Sequence, residues 1–99
     1  MKSVKIGWKE YEIIEAEINT AMIEDPKECY GEIDYNKCKI YLNANYDEKI
    51  KQETLLHEIL HGISDMYDLD MSENFVTRLS NALFTTIKDN NILINQETA

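Results

Sequence analysis

The feature that most restricts how this chain can fold is the spacing of apolar residues between positions 47 and 67. Leu55, Leu56, Ile59, Leu60, Ile63, Met66 and Tyr67 fall on one arc of roughly 140° when the chain is wound at about 3.6 residues per turn, the width of a stripe that faces a core. The spacing predicts a helix, with Asp47 as its N-cap. The complementary arc carries Glu53, Ser64, His57, Ile50, His61, Thr54, Asp65 and Glu58 in angular order. A helix packed by its apolar stripe is expected to leave these side chains available for metal and substrate.

Within that helix His57-Glu58-Ile59-Leu60-His61 spells H-E-x-x-H and uses both histidines of the chain. Residues four apart on a helix lie roughly 40° apart around its axis, so both imidazoles can reach one zinc ion. Glu58 then flanks the metal as a general base for the attacking water. Two imidazoles alone are an incomplete site, because catalytic zinc usually takes three protein ligands and keeps one position open. With no third histidine, the third donor is a carboxylate or a cysteine. Glu73 is the first candidate, since it opens the next helix, which a short connection can fold back across the motif. Asp65, Asp68 and Asp70 are its rivals. Asp70-Met71-Ser72-Glu73 also reads as a capping box with Asp70 as N-cap, in which Glu73 serves backbone amides instead. Asp65, one turn past His61, either orients a histidine from behind or is a solvated charge.

The remaining pattern supplies strands and a second helix. Residues 4–14 alternate apolar and polar around Gly7-Trp8-Lys9-Glu10, which predicts a first hairpin. Residues 29–43 alternate again, with a turn at Tyr35-Asn36-Lys37-Cys38 and a register that pairs Ile33 with Ile40, Gly31 with Leu42, Asp34 with Lys39 and Glu32 with Tyr41. Asn36-Lys37 is a poor two-residue turn, so a longer loop that shifts this register stays open. Residues 15–27 read as a loop or a turn of helix, broken at Asp25-Pro26. A second helix is expected over residues 71–88, with Phe75, Val76, Leu79, Ala82, Leu83 and Ile87 on its apolar side, ended by Asp89-Asn90-Asn91. Ile92-Leu93-Ile94 forms a short apolar tail.

Composition excludes several classes. The 99 residues predict a single domain over residues 1–99. A net charge of −9 repels phosphate backbones and anionic lipid surfaces, which argues against direct nucleic-acid or membrane binding. No signal-like or membrane-spanning apolar run is present, so a cytoplasmic protein is expected. Cys29 and Cys38 match neither a zinc knuckle nor a disulfide scaffold and read as free, partly buried thiols. Oligomeric state is not legible.

With these residues placed, the chain resembles a minimal zincin, most similar to the ImmA/IrrE-like metallopeptidases of phages and other mobile elements. The resemblance is carried by residues 53–83: Glu53-Thr54-Leu55-Leu56-His57-Glu58-Ile59-Leu60-His61, then Glu73 with Val76, Leu79 and Leu83 at helical intervals. Gly31-Glu32-Ile33-Asp34-Tyr35 and Lys39-Ile40-Tyr41-Leu42-Asn43 resemble the strands that precede the active-site helix in such proteins. The chain departs from the family in having Val76 and Leu79 where an alanine-rich, Phe-containing helix is usual, and in carrying no attached helix-turn-helix domain.

The resemblance implies an α+β fold: two N-terminal β-hairpins forming an antiparallel sheet, the H-E-x-x-H helix and a C-terminal helix. It implies zinc held by His57, His61 and Glu73, with Glu58 activating water for peptide-bond hydrolysis. It extends to this chain a protein or peptide substrate, with transcriptional regulators among the candidates. In related zincins an extended substrate pairs with the edge strand beside the active-site helix, here expected to be residues 39–43. Tyr41, Tyr46, Tyr67 and Arg78 are candidates to stabilise an oxyanion. The competing reading is a non-catalytic interaction module, with or without metal, acting as a small phage-type regulator.

Overall fold

The computed structural model describes residues 2–17 and 30–92. Cys29, the expected break at Asp25-Pro26 and the tail beyond Ile92 lie outside the described residues. In chain order the elements are β1 (Ser3–Ile6), β2 (Lys9–Ala16), β3 (Gly31–Asp34), β4 (Lys39–Asn43), α1 (Glu48–Met66) and α2 (Glu73–Asn90).

Both hairpins form where alternation places them. Ile6 pairs with Lys9, leaving Gly7-Trp8 as a two-residue turn. Gly7 takes φ 60°, and a left-handed residue at the first central position is what a type II′ hairpin turn needs and glycine supplies. β2 continues two residues beyond the expected end at Ile14. In the second hairpin Gly31, Glu32, Ile33 and Asp34 face Leu42, Tyr41, Ile40 and Lys39, the expected register. The Asn36-Lys37 turn is closed by its neighbours: Asp34 Oδ1 accepts from the amides of Asn36 at 3.0 Å and Lys37 at 2.9 Å, and Cys38 adopts φ 54°.

The sheet corrects the expectation of a purely antiparallel array. Its strand order is β1-β2-β4-β3, and β2 runs parallel to β4. The reason is apolar burial. β4 buries Ile40, Leu42 and Asn43, and β2 buries Tyr11, so these two strands take the centre. Each is the second strand of its hairpin, and the two run in the same direction. The same arrangement moves the sheet edge. β4, expected there, is interior, and β3 is the edge strand beside α1.

One sheet face packs against α1. Ile6, Tyr11, Ile40 and Leu42 are buried, with Leu55, Ile59, Ile63 and Met66 of the helix against them. The approach is close at Gly31, where a Cβ would lie 2.8 Å from Thr54 Cγ2 of the helix and 2.5 Å from the Tyr41 carbonyl oxygen of the neighbouring strand, and at Gly62, where one would lie 2.6 Å from Ile6 Cδ1. Asp47 caps α1 as expected, its carboxylate accepting from the Ile50 amide at 2.9 Å. Tyr67, expected on the apolar stripe, is the C-cap and is 60% exposed. α2 packs on α1 and buries Val76 and Ser80. Its expected apolar residues Phe75 and Ile87 remain half exposed, because among the described residues this helix packs chiefly on α1. The polar arc of α1 is not free as expected. β3 and α2 cover part of it, so Glu58 and Ser64 are buried. Among the described residues, no helix is long and apolar enough to cross a membrane.

Candidate metal centre

His57 and His61 sit one turn apart on α1, their rings edge to face with centroids 4.8 Å apart and their Nε2 atoms 3.1 Å apart. Glu73 is delivered to them by the way α1 ends. Asp68 takes a left-handed conformation, and the Leu69 amide donates back to the Ser64 carbonyl at 3.0 Å, a Schellman closure in which Asp replaces the usual glycine. The buried Ser64 hydroxyl then accepts from the Met71 amide at 2.9 Å. Ser64 therefore holds the connection at two points and turns α2 back across the motif. The sequence reading had no role for it, since a serine on a polar arc carries no signal of this kind.

The expected capping box is overturned. Asp70 adopts φ 54°, incompatible with the extended backbone of an N-cap. Ser72 has that backbone and caps α2, its hydroxyl accepting from the Phe75 amide at 3.1 Å. Glu73 is thereby released from capping, and its carboxylate spans both imidazoles: Oε1 lies 2.9 Å from His57 Nε2 and Oε2 2.6 Å from His61 Nε2. Thr77 Oγ1 donates to Oε1 at 3.5 Å.

His57, His61 and Glu73 form a group whose ligand atoms all lie within 4.8 Å of one another. Among the described residues Asp65, Asp68 and Asp70 do not join it. Around a tetrahedral zinc with bonds of about 2.1 Å, ligand atoms are about 3.4 Å apart, wider than the 3.1, 2.9 and 2.6 Å spacings seen. The donor set fits a cation on chemical grounds too. Two imidazole nitrogens and a carboxylate oxygen converge, and their lone pairs repel unless a proton or a metal ion lies between them. The geometry supports a metal ion without identifying the element.

Glu58 lies on the neighbouring side of α1 and is 7% exposed. Burial, with the charges of Glu73 and Glu32, pushes its carboxyl up to about 8. It lines a recess of about 280 Å³ with Tyr30, Ile50, Thr54, His57 and Ser80. A second recess, on the His61 side, is lined by Tyr35, Ser64, Asp65, Asp68 and Asp70. Burial there, with the charges of Glu58, Asp65, Tyr11 and Glu73, raises the pKa of the Tyr35 phenol. Asp65 forms an ion pair with Lys9 at 3.8 Å.

The four candidate oxyanion donors do not gather at this centre. Tyr41 alternates onto the sheet face opposite the buried Ile40 and Leu42. Tyr46 stacks on Tyr30 with centroids 4.8 Å apart, Tyr67 is exposed, and Arg78 projects from the exposed side of α2. Cys38 is a free thiol, partly buried as expected, with its sulfur 3.7 Å from the Tyr35 carbonyl oxygen. No protein-family model, curated protein or solved structure matches the chain.

Proposed function

We propose that the protein is a zinc-dependent metallo-endopeptidase acting on an intracellular protein or peptide. The observation that carries this reading is the burial of Glu58 in a recess beside three converging metal donors. A structural carboxylate gains nothing from such a place, whereas a general base needs it.

His57, His61 and Glu73 would hold the ion. Zinc, when bound, supplies Lewis acidity that polarises a peptide carbonyl and lowers the pKa of water. Glu58 accepts a proton as the water oxygen bonds to the carbonyl carbon. It then returns that proton to the amide nitrogen as the C–N bond breaks, so one water is consumed and Glu58 is restored. The outer edge of β3, which among the described residues pairs with β4 alone, is the strand on which an extended substrate backbone would pair.

The test is Glu58→Gln in zinc-loaded protein, with hydrolysis of an unstructured peptide mixture followed by mass spectrometry. The substitution preserves shape and removes the base. Zinc content is expected to stay at the wild-type level while turnover falls at least ~100-fold, the lower range for losing a positioned base. Equal turnover by the two proteins refutes the assignment. A cellular effect that survives Glu58→Gln points to a non-catalytic regulator.

A further inference from the structure

We infer that Tyr35 is a substrate-contacting residue of this site, its phenolic hydroxyl donating a hydrogen bond to the peptide carbonyl oxygen as negative charge develops there. The inference rests on the peptidase reading and adds a residue that the motif does not contain.

Position comes first. Tyr35 follows β3 directly, as the first residue of the turn that leads into β4. It lines the recess beside His61. Its phenol is near enough to Glu58 and Glu73 for their charges to help raise its pKa. A hydroxyl lining the recess beside His61 stands next to one of the three candidate metal donors, where the oxygen of a peptide carbonyl polarised by the ion would lie.

The residue is also held still. The Tyr35 carbonyl oxygen accepts from Lys9 Nζ at 3.2 Å and lies 3.7 Å from the Cys38 sulfur, while Asp34 ties the turn through two amides. These contacts use the backbone and leave the phenol for substrate: among the described residues, no side chain hydrogen-bonds its hydroxyl. A donor fixed before the reaction needs no reorganisation when charge develops. Neutrality matters as well. A lysine here would pair with Glu58 or Glu73, whereas a phenol donates without quenching the base. Tyr11, the neighbouring phenol, is fully buried and cannot touch a substrate.

Tyr35→Phe tests this, because it removes one oxygen and keeps the ring and every backbone contact of the turn. Zinc content and melting temperature should be unchanged. The kcat should fall on the order of 100-fold with KM within about twofold, the pattern of a lost transition-state donor. Calorimetry with a peptidyl phosphinate, whose tetrahedral anionic phosphorus imitates the adduct, should show a matching loss of affinity in zinc-loaded Tyr35→Phe. If wild-type protein hydrolyses peptide and the variant matches it in kcat and phosphinate affinity, the Tyr35 assignment falls and the peptidase reading stands. If wild-type protein binds phosphinate in a Tyr35-dependent way without turnover, the contact stands and the peptidase reading falls. If it does neither, both fall.

Discussion

Glu58 is a residue kept against its own solvation preference. Buried and facing Glu73 and Glu32, its carboxyl is raised from about 4.5 in the unfolded chain to about 8 in the metal-free fold. The folded state therefore binds this proton more tightly than the unfolded one. Its favourable contribution is complete below about pH 4.5, erodes as the pH rises, and is gone above about pH 8. Each pKa unit corresponds to about 1.4 kcal/mol, so the erosion is on the order of a few kcal/mol. Glu58→Gln removes the titration. In metal-free protein the stability advantage of the variant over wild type, read from urea unfolding, should grow between pH 5 and pH 8 and then level off. A difference that stays constant across that range would contradict the burial argument. The same residue shows what a sequence can reveal at this scale. The H-E-x-x-H spacing named Glu58 and both histidines, because ligand spacing on a helix is local geometry. Which carboxylate lies against the two histidines was not local. It turned on whether Asp70 or Ser72 caps α2, and the left-handed backbone of Asp70, set by how the connection folds onto Ser64, decided it.

At the scale of elements, hairpins and helices were legible because period-two and period-3.6 patterns are written in adjacent residues. Strand order was not. Which hairpin edge meets which depends on the relative apolarity of β2 and β4, a comparison across the unpatterned stretch between them, and it made the sheet mixed and β3 the edge. The seating of β3 against both β4 and α1 depends on Gly31. A methyl group there would meet a backbone carbonyl at 2.5 Å, and a carbonyl inside a strand pair cannot move aside without breaking the pairing. Gly31→Ala should therefore destabilise the fold by about 1–3 kcal/mol, the range for overpacking a filled space. The measurement is the denaturation midpoint at constant m-value. An unchanged midpoint would mean that β3 sits further from α1 than described.

For the whole molecule, the candidate metal donors tie together two packed helices. Two of the three come from α1, which is embedded on the sheet, and one from α2, which buries only Val76 and Ser80. An ion that binds the folded state alone stabilises it by mass action, about 2.7 kcal/mol at a hundredfold excess over Kd. For a domain of this size that is a rise in Tm on the order of 10–20 °C. Thermal melts with zinc, reversed by a chelator, should show it, and Glu73→Ala should abolish most of the shift. No shift in wild-type protein would rule out the centre.

The division of donors between the two helices has a mechanical corollary. Prising α2 away from α1 withdraws Glu73 from the histidines, so opening the molecule and emptying its centre are one act. A force applied to the exposed side of α2 would therefore be felt at Glu73 without reaching the two histidines directly.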